Sequence, residues 1–261
     1  KPCEICKKHD WCTRANDCSV HCCMRVASTV EMSNGGFLHI GEAKGRELID
    51  KKENERRMID AGAIMKRWLV FTSDTQMNDF AIQLGVTPAS LNRLGCVRAN
   101  QHRHAFAFPM VNSLGKVVGI RLRHDNSSKS TVKGSRAGLF VPTDIGGGEY
   151  LLICEGPTDA AAMLSVGFDT IGRPSCLGQV SMVRQLLLKF NPIPNVIICA
   201  DRDGAGLDGA RRLATGLLAI TQNVRIIRPP KHNDVREWVA SGATESIVKC
   251  VIEKAKYWRG D

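Results

Sequence analysis

Two short apolar runs in this chain end in carboxylates. Tyr150-Leu151-Leu152-Ile153-Cys154 is closed by Glu155-Gly156-Pro157-Thr158-Asp159. Val196-Ile197-Ile198-Cys199-Ala200 is closed by Asp201-Arg202-Asp203-Gly204-Ala205-Gly206. Short runs of this composition read as buried strands, and a helical pattern follows each. In an open α/β sheet, ligands sit beyond the carboxyl ends of the strands. Glu155, Asp201 and Asp203 are therefore expected at one edge. Three gathered carboxylates repel one another unless a cation neutralises them. Hard divalent ions such as Mg²⁺ or Mn²⁺ take oxygen ligands of this kind.

Sulfur offers a second chemistry. Of 11 cysteines, six fall in the first 23 residues: Cys3, Cys6, Cys12, Cys18, Cys22 and Cys23. Cys3-x-x-Cys6 makes one knuckle, and a tetrahedral zinc needs two more ligands. Cys12, Cys18, Cys22, Cys23, His9 and His21 compete for those places. About forty residues bury too little apolar surface to fold alone, so a structural metal is expected to supply the missing stability. Cys154 and Cys199 lie in the predicted strands. One metal site plus core thiols suits a reducing compartment better than a disulfide framework does.

Several elements must position these groups. A proline-started, Ala-rich helix runs from Pro157 to Val166, and Thr170 to Ser175 ends a short strand. Helices follow over Met182 to Phe190 and Leu207 to Ile220, with a strand over Asn223 to Ile227. Upstream, Gly41 to Arg67 is charge-rich, with Glu47, Lys51, Glu55 and Arg56 on a helical pattern. Trp68-Leu69-Val70-Phe71 is expected to dock on the core. Phe80 to Leu91 reads as helix, turn, helix. A packing hairpin is preferred there over a DNA-reading motif.

From Arg98 to Arg136 the only acid is Asp125, against eight basic residues: Arg98, Arg103, Lys116, Arg121, Arg123, Lys129, Lys133 and Arg136. Alternation in Val117 to Arg123 puts Arg121 and Arg123 on one strand face, a spacing that suits a row of phosphates. His102 and His104 flank Arg103. Few aromatics interleave with this charge, so phosphate contact is expected rather than base stacking. The whole chain of 261 residues carries a formal charge of +10, which favours an anionic partner. No run approaches the ~18 apolar residues of a membrane span, and no G-K-[ST] phosphate loop occurs. Gly146-Gly147-Gly148 reads as a hinge.

The E-G-x-x-D turn followed by a strand ending in D-x-D resembles the Toprim domain of topoisomerases, bacterial-type primases and some nucleases. A cysteine-rich start, a basic middle and then this pattern resembles the bacterial and phage DNA primases. Val86 to Val239 carries the likeness best, including Phe108-Pro109-Met110, Gly119-Ile120-Arg121-Leu122-Arg123, Lys133-Gly134-Ser135 and Gly138-Leu139-Phe140. The resemblance implies an α/β fold: a Toprim open sheet with helices on both faces, preceded by a basic α+β subdomain and a small zinc-binding module. The implied divisions are a zinc module over 1–40, a helical linker over 41–85, a basic nucleic-acid-binding subdomain over 86–147 and a catalytic domain over 148–261. Asp10-Trp11-Cys12 and Cys23-x-Arg25-Val26 match primase-like features, which favours Cys3, Cys6, Cys12 and Cys23 as the zinc set.

The resemblance further implies Glu155, Asp201 and Asp203 as catalytic carboxylates and metal ligands, with Asp159 and Asp234 as weaker ligands. Asp159 reads equally well as a helix cap or as an ion-pair partner within its helix. Arg173 and Lys231 are expected on nucleotide phosphate, the latter in Lys231-His232-Asn233-Asp234-Val235-Arg236-Glu237-Trp238, which resembles a late Toprim motif. Arg98, Arg103, Arg121, Arg123, Lys129, Lys133 and Arg136 are expected on single-stranded DNA. The implied activity is metal-dependent primer synthesis from nucleoside triphosphates, in the cytoplasm of a bacterium or phage-infected cell, with a separate replicative helicase as partner. The alternatives are a Toprim-family metal-dependent nuclease or a non-catalytic DNA-binding recombination or replication factor; a nucleophilic-tyrosine topoisomerase fits poorly, since the only tyrosines are Tyr150 and Tyr257.

Overall fold

The computed structural model describes residues 2–9, 12–14, 20–28, 30–32, 36–40, 59–99, 104–176 and 178–260. Glu47, Lys51, Glu55, Arg56, His102 and Arg103 lie outside the described residues, as do Asp10, Trp11 and Cys18. Two compact units part between Met58 and Ile59.

The first unit holds a small antiparallel sheet of four strands, β1 (Thr13–Arg14), β2 (Val20–Cys23), β3 (Val30–Glu31) and β4 (Phe37–Ile40), in the order β1-β2-β4-β3. Its buried apolar residues include Cys22, Cys23 and Leu38. So small a core needs a further source of stability.

The second unit begins with three helices. Helix α1 (Ala61–Leu69) is capped by Asp60, and α2 (Asp74–Leu84) by a Ser73/Gln76 capping box. Helix α3 (Pro88–Arg93) follows Gly85, whose φ of 70° ends α2 in a left-handed turn. An antiparallel sheet comes next, in the order β5 (Val97–Arg98), β6 (Ala105–Val111), β7 (Val117–His124), β8 (Lys129–Thr131). Strand alternation divides its side chains between two layers. Ala105, Ala107, Ile120 and Leu122 pack beneath α1 with Trp68. Phe106, Phe108 and Met110 pack against α2 and α3, with Phe80 stacked on Phe106 at 3.8 Å between centroids. The α2–α3 pair is therefore a packing hairpin: Met77, Phe80, Ala81, Leu84 and Leu91 face the core. The expectation for Trp68 to Phe71 needs correction. Trp68 alone docks, while Leu69, Val70 and Phe71 are exposed at 60%, 81% and 53% because α1 ends there.

The last layer is a parallel sheet, ordered β10 (Asp169–Arg173), β9 (Tyr150–Glu155), β11 (Asn195–Cys199), β12 (Val224–Ile227). Helices α4 (Pro157–Ser165), α7 (Val235–Ala240) and α8 (Glu245–Lys254) cover the face of Leu152, Cys154 and Ile197. Helices α5 (Val180–Leu187) and α6 (Gly204–Leu217) cover the face of Leu151, Ile153 and Ile198. The chain runs from β9 out to β10, then crosses back to β11 on the other side of β9. The crevice at the carboxyl ends of β9 and β11 is thus a topological switch point.

Residues 139–140 stitch the two sheets together. Leu139 exchanges backbone hydrogen bonds with Val111 at 2.8 Å, and Phe140 with Gly172 at 2.9 Å. Ala160, Ala161 and Leu164 of α4 share one cluster with Phe80, Phe108 and Phe140. Residues 86–147 and 148–261 therefore lie within one compact unit.

Candidate active site and cysteine centre

Glu155 ends β9, and Asp201 and Asp203 follow β11, so all three stand at the switch-point crevice. The turn into α4 is built tightly. Gly156 has φ 98°, and its N–H donates to the Arg173 carbonyl at 2.8 Å. Asp203 caps α6 by accepting from Gly206 N–H at 2.6 Å. A Cβ on Gly206 would lie 2.9 Å from Asp201 Cβ, so glycine lets α6 start directly beside that carboxylate. Asp234 caps α7 through Glu237 N–H at 2.7 Å. The Asn233 carbonyl accepts from Arg202 N–H at 2.9 Å, which ties the start of α7 to the segment carrying Asp201.

These carboxylates feel one another. Burial pushes Asp159 up to about 8, with Asp234 and Asp201 adding repulsion. Asp159 is 5% exposed, and its Oδ1 has no hydrogen-bond partner. Burial likewise raises Asp201 to about 7, helped by Glu155, Asp234 and Asp203. Glu155 is raised by burial, against the opposing pull of Arg173. An orphaned buried carboxylate oxygen beside mutually repelling acids fits a hard divalent cation. Among the described residues, however, these carboxylate oxygens do not form a group within coordinating distance of one another. Asp203 and Asp234 spend an oxygen on their helix caps instead. Asp159 is not a cap, because Gly156 holds that position in α4.

The basic strand face turns toward the same acids. Arg123 pairs across the ladder with Lys129, and Phe106 and Phe108 with Arg123 and Arg121. Lys129 pulls against the burial-driven rise of the Glu155, Asp159 and Asp201 carboxyls. Arg123 feels Asp159, Asp234 and Arg236, so its charge belongs to the acidic edge. Arg121 is half-buried and donates through Nη2 to the Pro174 carbonyl at 3.0 Å. Lys133, Arg136 and Lys231 are exposed. Arg98 forms a two-pronged pair with Asp125, at 2.9 and 3.1 Å, and lies over the Phe106 ring. It is thereby held in an intramolecular pair. Arg173, expected on phosphate, is 3% exposed, and its Nη1 donates to the Cys176 carbonyl at 2.9 Å. That expectation is corrected, since a buried guanidinium bonded to the chain's own carbonyls does not meet a ligand. Arg236, which pairs with Asp234 at 3.6 Å, was missed; it sits in the quoted Lys231 to Trp238 stretch, two residues after that acid.

In the first unit, the ligand atoms of Cys3, Cys6, Cys12 and Cys23 all lie within 4.8 Å of one another. Cys6 and Cys12 sulfurs are 3.6 Å apart, and Cys12 and Cys23 sulfurs 4.0 Å. A tetrahedral ion with bonds of about 2.3 Å to sulfur would separate its ligands by ~3.8 Å. Backbone N–H groups of Met24 and Val26 donate to Cys12 and Cys23 sulfurs at 3.4 and 3.3 Å, as suits thiolates. A hydrogen bond to the Lys8 backbone leads in lowering Cys6 to about 6, while burial pushes Cys12 up to about 12. His9 is exposed and His21 faces Glu4, so neither belongs to this group; nor does Cys22, Cys23's neighbour on β2.

Residues 152–239 match the family model described as Toprim-like. The chain contains a Toprim-like domain. No curated protein matches the chain. Solved structures do. The RNA polymerase domain of Mycobacterium tuberculosis primase DnaG is 16% identical, with a TM-score of 0.56 over 75% of this chain and 83% of that one. A DnaG primase catalytic domain bound to single-stranded DNA is 17% identical, with a TM-score of 0.55 over 75% and 78%. The primase fragment of the bacteriophage T7 primase-helicase protein is 16% identical, with a TM-score of 0.52 over 66% and 72%. The mixed α/β fold around the Toprim-like domain is that of a primase catalytic core.

Proposed function

We propose that the chain is a DNA primase of phage, plasmid or mobile-element type, making short RNA primers on single-stranded DNA. The observation that carries the reading is the meeting of opposite charges at the switch point. Glu155, Asp159 and Asp201 stand there within the electrostatic reach of Lys129, and Asp159 and Asp234 within that of Arg123. Such a site can hold polyphosphate on one side and acid–base or metal chemistry on the other. The solved primase cores, one of them bound to single-stranded DNA, support the same reading.

Glu155, Asp201 and Asp203 would hold the divalent cation, with Asp159 and Asp234 behind them. Bound there, Mg²⁺ or Mn²⁺ supplies charge neutralisation for the attacking and leaving oxygens of the transfer. Glu155 would take the proton of the attacking 3′ hydroxyl. Lys231, with Lys129 and Arg123 beside the acids, would hold the triphosphate, and Lys133 and Arg136 would meet the template backbone. The cysteine quartet would hold one zinc, closed to substrate. A separate replicative helicase would deliver the template, in the cytoplasm of a bacterial or phage-infected cell. Among the described residues, no helix is long and apolar enough to cross a membrane.

The test is primer synthesis on single-stranded DNA with labelled ribonucleoside triphosphates and Mg²⁺ or Mn²⁺. Short RNA products are expected, and template affinity is expected to fall steeply with salt through counterion release. Cutting of DNA without primer synthesis, stopped by the same acidic substitutions, would replace this reading with a Toprim nuclease.

A further inference from the structure

After β12 and Arg228 the chain runs through two prolines, Pro229 and Pro230, into Lys231. Neither proline has an N–H, so both offer only a carbonyl to hold them. Arg202 takes both carbonyls. Its Nη1 donates to the Pro229 carbonyl at 3.4 Å and to the Pro230 carbonyl. Its backbone N–H donates to the Asn233 carbonyl at 2.9 Å. One residue between β11 and α6 therefore grips the segment on both sides of Lys231 and His232. The segment is also tied to α7. His232 Nε2 and Ser241 Oγ are 2.9 Å apart, and Asn233 N–H donates to the Glu237 carboxylate at 3.1 Å. Arg202 stands between Asp201 and Asp203 in the chain, but its guanidinium reaches the neighbouring loop.

We propose that Arg202 is a positioning residue: it clasps residues 229–233 to the end of β11 and so sets Lys231 for a nucleotide phosphate beside Asp201. This rests on the reading of Lys231 as a triphosphate ligand. The physical case is one of ordering. A loop left free must be fixed when the nucleotide binds, at a cost in backbone and side-chain entropy that weakens affinity. A loop clasped on folding has met that cost already. Arginine suits the task because one nitrogen carries two N–H donors, and its charge strengthens both bonds.

The experiment compares wild type, Arg202→Met, Arg202→Lys, Lys231→Met and the double variant Arg202→Met/Lys231→Met in the full chain loaded with zinc. Deuterium uptake over residues 228–234 is measured by mass spectrometry. Binding of a fluorescent ribonucleoside triphosphate with Mn²⁺, and of single-stranded DNA, is measured by titration. Arg202→Met is expected to exchange faster over 228–234 and to bind nucleotide about 3- to 10-fold more weakly, as the loss of one or two charge-assisted bonds allows. Arg202→Lys keeps charged donors, so it is expected to recover most of both, and it carries the comparison if Arg202→Met does not fold. In the Lys231→Met background the further loss from Arg202→Met is expected to be under about twofold, because the clasp acts through Lys231. Affinity for single-stranded DNA is expected to change less than about twofold. An equal loss with and without Lys231 would overturn the proposal in favour of direct phosphate contact by Arg202. A matching loss of DNA affinity would overturn it in favour of template contact. Unchanged exchange over 228–234 would overturn it outright. A wild type that binds no nucleotide would overturn it together with the triphosphate reading. A wild type that shows the coupling but makes no primers would sink the primase reading and leave the clasp standing.

Discussion

The cysteine quartet and the carboxylate edge gather their side chains by opposite means. Four sulfurs converge within 4.8 Å, with backbone N–H groups already aimed at two of them. The carboxylates share a crevice but not a coordination sphere, and two of them are engaged as helix caps. The soft site is closed by its own ligands, so its geometry is part of the first unit's fold. The hard site is built from strand ends and helix starts whose positions the sheet fixes, while repulsion keeps the charges apart. A structural centre holds its shape as a condition of folding. A reactive centre keeps strain and open positions where substrate will come.

Removing metal should separate the two sites most sharply. Stripping zinc with a chelator is expected to unfold residues 1–58 and leave 59–261 folded. Structural zinc in small domains contributes on the order of 10 kcal/mol. Circular dichroism and hydrogen exchange, with about one zinc per chain by metal analysis, would check this. Disulfides with no metal in a folded first unit would break the comparison.

Next in size is Asp201→Ala. Primer synthesis is expected to fall by about 10²-fold or more, with thermal stability unchanged or raised, since the substitution relieves repulsion. A variant that loses activity only by unfolding would show the edge to be structural.

Asp159 gives a smaller, pH-dependent effect. Its carboxyl is raised to about 8 in the fold, whereas in the unfolded chain it ionises near 4. Between those values the unfolded state has lost a proton that the folded state retains. Stability therefore falls as pH rises from about 4 to about 8. Without added divalent salt, Asp159→Asn is expected to flatten this fall and to be about 1–3 kcal/mol more stable than wild type at pH 8. Denaturant melts at several pH values measure it. Equal slopes for both proteins would remove Asp159 from the strained set.

The smallest effect is expected at Asp125, the partner of Arg98. Asp125→Asn should cost about 1 kcal/mol or less, as for exposed ion pairs, and should leave the acidic edge untouched. A large loss of primer synthesis would extend the reactive region beyond the crevice.

Much of this was legible in the residues. Period and composition placed β9, β11 and the acids at their ends, because strand length and a closing carboxylate are local features. The sulfur set was narrowed by likeness to known zinc modules and then brought together by the small sheet. Arg173 was not legible. Its type suggests phosphate, and only the ladder pairing with Glu155 and the returning turn show that it points inward. The resemblance sets the basic strand in a subdomain of its own, over 86–147. The bonds of Leu139 and Phe140 bring it to the acids instead, and such long-range pairing leaves no periodic trace.

Those two residues have a consequence for how the second unit could be divided. The glycine hinge at 146–148 looks like a place to cut. Yet Asp169 Oδ2 accepts from Gly146 and Gly148 N–H at 3.3 and 3.1 Å, and Phe140 is bonded into β10 and buried with α4. A nick between Gly146 and Gly148 would sever the chain without severing the sheet. The halves should stay together as a complementing pair, and either half made alone should be sticky along the seam the other leaves bare.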